Sequence, residues 1–150
     1  MIQRIQSLYL AAATLLTLLL LFLPWVTYQT ETTSMAFDVL HGNENELNAI
    51  YLLPSVLITT GLSMAAIFLF KDRKKQMKYV RFAMIFAVVI FLNFGLLHFV
   101  NIQNLTAVGK LQMSYGIPAA LLLVNLVLYW LANKAIKKDD DLVRSVDRLR

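Results

Sequence analysis

Four continuous apolar runs, none carrying an internal Asp, Glu, Lys or Arg, constrain this chain more than any other feature. They extend from about Leu8 to Val26, Ile50 to Phe70, Phe82 to Val100 and Tyr115 to Ala132. A helix rises about 1.5 Å per residue, so about 20 apolar residues cross the roughly 30 Å hydrocarbon core of a bilayer. Each run has about that length, and uncharged continuous runs are the strong form of the signal. A soluble core could not bury this much apolar surface: apolar residues make up 59% of the 150 and charged residues 15%. An average soluble domain carries about 25% charged residues. The surplus is expected to face lipid. The first run is too long for a cleaved signal segment. Leu23-Pro24-Trp25-Val26 stands where a small-residue cleavage site would be, so the run reads as a retained span.

Prolines and aromatics suit the ends of these runs. Pro54 and Pro118 lie near the first turn of their helices, where a missing N–H costs little, and Pro24 lies near the exit of the first. Trp25, Tyr28, Tyr51, Tyr115 and Trp130 fall near the proposed membrane interfaces, which amphipathic rings prefer.

Lys and Arg are divided very unevenly between the connecting segments. The N-terminus carries Arg4. The second connection carries Lys71, Arg73, Lys74, Lys75, Lys78 and Arg81, and the C-terminal tail Lys134, Lys137, Lys138, Arg144, Arg148 and Arg150. The first connection has none, with Glu31, Asp38, Glu44 and Glu46 in their place; the third has Lys110 alone. Thirteen of the 14 basic residues therefore share one side, which the positive-inside rule assigns to the cytoplasm. The expected fold is an all-α membrane protein. It is a single domain over residues 1–150, a four-helix transmembrane up-down bundle with both termini cytoplasmic. In the first outer loop, apolar and polar residues alternate on either side of Thr32–Ser34, which predicts a short β-hairpin.

Little in the chain carries chemistry. There is no cysteine, which removes disulfides, thiolate metal sites and dithiol redox work. His41 with Glu44 and Glu46 reads as a solvated turn rather than a metal site. Asn104-Leu105-Thr106 matches the glycosylation pattern, which matters only in a eukaryotic secretory pathway. The spans hold one ionisable residue, His98, on the helical face of Asn101, and it reads as an interfacial histidine bonded to backbone or water. No nucleophile–base pair, phosphate loop or metal spacing is present, and no cofactor is expected. Gly61 with Ala65 and Gly116 with Ala120 are small-xxx-small pairs that permit close helix approach.

Three segments carry a family resemblance. They are Met1-Ile2-Gln3-Arg4-Ile5-Gln6-Ser7, Lys71-Asp72-Arg73-Lys74-Lys75-Gln76-Met77, and Lys134-Ala135-Ile136-Lys137-Lys138-Asp139 followed by Leu142 to Arg150. Together they resemble the domain-of-unknown-function family four-two-nine-three, small inner-membrane proteins of Bacteroidota. The resemblance spans the whole chain and implies a bacterial cytoplasmic membrane and four spans. It transfers no catalytic residue.

Two constellations remain. Thr17, Thr59, Thr60, Asn93 and Asn125 fall at similar depth in the spans. They predict a mid-membrane polar layer facing inward, because an amide facing lipid is costly. The cytoplasmic side offers the basic segment Lys71, Arg73, Lys74, Lys75, Lys78 and Arg81 and a C-terminal helix over residues 139–150. Leu142, Val143, Val146 and Leu149 form one stripe of that helix, with Arg144 and Arg148 one turn apart. Asp139, Asp140 and Asp141 suit a helix start. A helix this short is marginal alone, so its stripe is expected to dock on protein. The expected function is a non-catalytic accessory or scaffold subunit of a larger inner-membrane complex, with anionic lipid at its inner face and no nucleic acid. The alternatives are a small oligomeric transporter or channel, or an envelope-lipid enzyme. A reporter fused after Arg150 is expected to be active only in a cytoplasmic form, and one inserted near Glu44 only in a periplasmic form. A periplasmic reading after Arg150 would overturn the count of four.

Overall fold

Away from water a chain must satisfy its backbone polar groups internally, and a helix does so within one segment. The computed structural model describes residues 5–30, 34–40, 49–106 and 111–148. In chain order these form α1 (Ile5–Leu19), β1 (Val26–Gln29), β2 (Ser34–Phe37), a 3-10 turn (Ala49–Leu52), α2 (Leu53–Phe68), α3 (Arg73–Thr106), β3 (Gln112–Tyr115) and α4 (Pro118–Arg148). Three helical stretches, Ile50–Phe68, Arg73–Thr106 and Pro118–Val143, are long and apolar enough to cross a membrane. The fourth helix, α1, has 15 residues. Each helix packs on the next, and α4 closes back on α1.

Several boundaries differ from the sequence expectation. α1 ends at Leu19 rather than continuing to Val26. Beyond it the chain tightens, with Leu21 N–H to Leu18 O and Phe22 N–H to Leu19 O both at 3.1 Å. Pro24 follows, and Val26 opens a strand. The basic segment is not a loop: only Lys71 and Asp72 precede α3. The Asp72 carboxylate caps that helix by accepting the Lys75 N–H at 3.1 Å, and this bond holds its pKa below the ordinary carboxylate value. The separate C-terminal helix is likewise replaced by a continuous α4 of 31 residues. After Pro118 the chain contains no Gly or Pro to stop a helix, so the three aspartates lie inside it.

The expected hairpin is β1 paired antiparallel with β2, Val26 opposite Phe37 and Gln29 opposite Ser34. A third strand, β3, pairs with the other edge of β1, Val26 opposite Tyr115, so the order is β2-β1-β3. Tyr115 thus closes a strand instead of opening the fourth span. Beneath the sheet lies an aromatic plug. Trp25 is fully buried rather than interfacial. Its indole N–H donates to Leu20 O at 3.1 Å, and its ring lies 4.8 Å from that of Phe94.

Packing between the helices relies on small side chains. α2 buries Ser55, Thr59, Ser63 and Ala66, and Ala13, Ala83, Ala87 and Ala132 are fully buried on their own helices. Large residues such as Leu8, Phe68 and Leu92 point outward. Gly61 serves no close helix contact, since a Cβ there would meet nothing within 4 Å. Gly116 does serve a close approach, though against backbone. Its N–H donates to Trp25 O at 2.8 Å, and a Cβ would overlap the Pro24 carbonyl oxygen. Gly116→Ala should therefore force β1 and β3 apart and cost about 1–3 kcal/mol, read as a lowered unfolding midpoint in detergent. Gly95→Ala, with nothing within 4 Å of its Cβ, should leave that midpoint unchanged or raise it.

Candidate functional site

Polar side chains collect at three levels of the bundle. At the sheet end, His98 on α3 bridges two strands. Its Nδ1 lies 2.6 Å from the Tyr28 hydroxyl on β1 and its Nε2 lies 3.2 Å from the Tyr115 hydroxyl on β3. A neutral imidazole has one donor and one acceptor nitrogen, so it accepts from one tyrosine and donates to the other. Phe94, one turn earlier, stacks on the ring at 5.7 Å. Tyr28 is buried, with its hydroxyl turned to the imidazole. Asn101 is buried on the same helix, and its Nδ2 has no hydrogen-bond partner among the described residues. Sequence reasoning assigned His98 to backbone or water. The missed signal is the alternation Gln112-Met113-Ser114-Tyr115, a period-two pattern that marks β3.

At mid-bundle the cross-helix bonds run between α1, α2 and α4. Thr14 and Ser63 hydroxyls are 2.6 Å apart. Asn125 Nδ2 donates to Thr17 Oγ1 at 2.6 Å, and the Tyr129 hydroxyl lies 3.4 Å from that oxygen. Of the five residues expected here, Thr17 and Asn125 meet directly. Thr59 and Thr60 instead bond back along their own helix, to Ser55 O at 2.7 Å and Val56 O at 2.9 Å. Asn93 is half-buried and takes part in none of these bonds. Thr14, Ser63 and Tyr129 lay at suitable depth in the sequence, but depth alone does not say how a helix is rotated. Closer to the chain termini, Gln76 Nε2 donates to Ala66 O at 2.9 Å across α3 and α2. Buried atoms of Gln6, Gln76, Asn125 and Asn133 have no partner among the described residues.

At the terminal end, α3 and α4 present the basic residues. Arg73 Nε pairs with Asp139 Oδ2 at 2.8 Å, which fixes the start of α3 against α4. Lys71, Lys74, Lys75, Lys78 and Arg81 are exposed, with Lys75 paired to Asp72 at 3.1 Å. Leu142 and Val143 are exposed on α4. Arg144, Val146 and Arg148 belong to the α4 backbone, and their side chains lie outside the described residues, as do Leu149 and Arg150. His41, Glu44, Glu46, Glu31, Arg4 and Lys110 are outside them too. Among the described residues, no three His, Asp or Glu side chains group to hold a metal ion.

A bond that joins Thr17 to Asn125 across two helices should appear as an energetic coupling. In a double-mutant cycle of Thr17→Val and Asn125→Leu, detergent unfolding should give about 1 kcal/mol of interaction energy. Additive effects would mean that the contact does not hold α1 to α4.

The family described as a domain of unknown function, DUF4293, matches residues 2–149. No curated protein and no solved structure matches the chain.

Proposed function

We propose that this chain, which belongs to the domain-of-unknown-function family DUF4293, is a non-catalytic accessory or scaffold subunit of a larger assembly in a bacterial cytoplasmic membrane. In this reading all four helices span, α1 with help from the turn and strand that follow it, and both termini are cytoplasmic. The charge division supports that orientation, since thirteen of 14 basic residues belong to the chain ends, to the α2–α3 connection or to the start of α3.

One observation carries the proposal. α4 does not stop where its apolar run ends near Ala132 but continues unbroken to Arg148. The first part of that extension still packs on the bundle, with Ile136 fully buried and Asp139 paired to Arg73. The part that leaves the bundle, residues 141–148, is about 12 Å long. Leu142, 58% exposed, and Val143 lie on it without an apolar cover. A free-standing helix of this kind gains little from propensity alone. The Arg73–Asp139 pair at 2.8 Å supports its base, and an ion pair of this partly buried kind favours one arrangement more than it adds net stability. A helix held at its base that carries exposed Leu142 and Val143 beyond it suits a docking element. Its three consecutive aspartates disfavour lying flat on anionic lipid, so the partner is expected to be protein.

Removal of residues 142–150 should leave insertion and folding of the helices intact and abolish co-purification of a stoichiometric partner from mild detergent. Folded, truncated protein that still retains the partner would remove this element from the mechanism.

A further inference from the structure

The outward face of α4 changes character along its length in the order of a phospholipid. Leu123, Val127 and Trp130 are exposed, and Lys134, Lys137, Lys138, Asp141 and Ser145 follow on the same face, all exposed. Successive steps of three or four residues keep them in one stripe. Lys134 Nζ lies over the Trp130 ring at 5.2 Å. This joins the interfacial indole to the first ammonium, at the level where Trp rings settle between acyl chains and headgroups. Above it a groove of about 580 Å³ is lined by Lys134, Lys137, Lys138, Asp141, Leu142 and Ser145. Lys137 and Lys138 form no ion pair among the described residues.

We infer that this stripe is a binding site for one anionic phospholipid. Its acyl chain lies along Leu123 and Val127, its glycerol region lies beside Trp130, and its phosphate is held by Lys134, Lys137 and Lys138. Lys134 and Lys138 are one turn apart, about 6 Å along the axis, so the three ammonium groups converge on one headgroup rather than on a broad surface. Asp141 closes the far end and repels a second anionic group, so the headgroup that fits carries a single phosphate diester. The groove shares Leu142 and Ser145 with the α4 tip, but the three lysines that hold the phosphate precede residue 142. Loss of lipid enrichment on their substitution and loss of a partner on removal of residues 142–150 are therefore distinguishable.

The two tryptophans make the test direct. Trp25 is fully buried and Trp130 is 52% exposed, so bromine on lipid chains quenches Trp130 and leaves Trp25 as a constant background. The full-length chain is reconstituted in phosphatidylcholine vesicles containing the same small fraction of either brominated phosphatidylglycerol or brominated phosphatidylcholine. The anionic lipid should be enriched beside Trp130 by at least about fivefold, the equivalent of one engaged lysine. Lys134→Ala/Lys137→Ala/Lys138→Ala should abolish the enrichment. Unchanged quenching by brominated phosphatidylcholine would establish that this variant still inserts. Lys74→Ala/Lys75→Ala should preserve the enrichment, and added inorganic phosphate should not compete. Equal quenching by the two lipids would overturn the assignment. So would enrichment that survives the triple substitution, equal loss in the α3 variant, or displacement by free phosphate.

Discussion

Because many large apolar side chains lie on the outside of this bundle, burying apolar area does not by itself hold the helices together. Lipid tails solvate a leucine as well as another helix does. What remains is close packing, a few hydrogen bonds and the connections at the ends, and each part of this structure follows from that shortage. The buried faces place Ala, Ser and Thr among the larger apolar residues, and these small side chains let backbones approach and gain dispersion contacts. Many bulky side chains, such as Leu8, Phe68 and Leu92, point outward, while Leu10, Leu122 and Phe94 fill the interior.

The same shortage explains the sheet. Among the described residues α1 is the shortest helix. It is held from above by β1, which pairs on both edges, and from the side by Thr14–Ser63 and Thr17–Asn125. Trp25 fills the space between helix end and strand. Gly116 lets β3 come close enough to continue the ladder into the Trp25 carbonyl. Because β3 leads straight into α4, this pairing ties the end of α1 to the beginning of α4. His98 adds α3 to the same junction through two tyrosines. The sheet end therefore joins three of the four helices, and the terminal end rests on Gln76 and the Arg73–Asp139 pair.

This asymmetry bears on function. The sheet end is cross-linked by hydrogen bonds and ring contacts, whereas α4 leaves the bundle at the other end as a single helix. One end anchors and the other presents. Along that helix exposed lysines follow Trp130, and exposed Leu142 and Val143 lie beyond them. In the proposed reading, lipid and partner protein engage successive turns of this one helix.

Periodicity and charge are local properties, so the sequence alone determined that the chain has four apolar segments, which of its ends are basic, and that β1 and β2 alternate as a hairpin. The expected C-terminal stripe of Leu142, Val143, Val146 and Leu149 is seen only in part: Leu142 and Val143 are exposed, and the side chains of Val146 and Leu149 lie outside the described residues. What depends on distant parts of the chain was not legible. β3 consists of four residues whose alternation acquires meaning only when β1 offers a free edge. The inward direction of Asn125 toward Thr17 rather than toward Thr59 depends on helix rotation, which depth counting does not contain. Gly61 and Gly116 look alike in sequence, yet one faces open space and the other touches a backbone carbonyl. Only the tertiary structure could make that distinction, because a glycine's role is set by what approaches it, and here the approaching atom is more than ninety residues away in the chain.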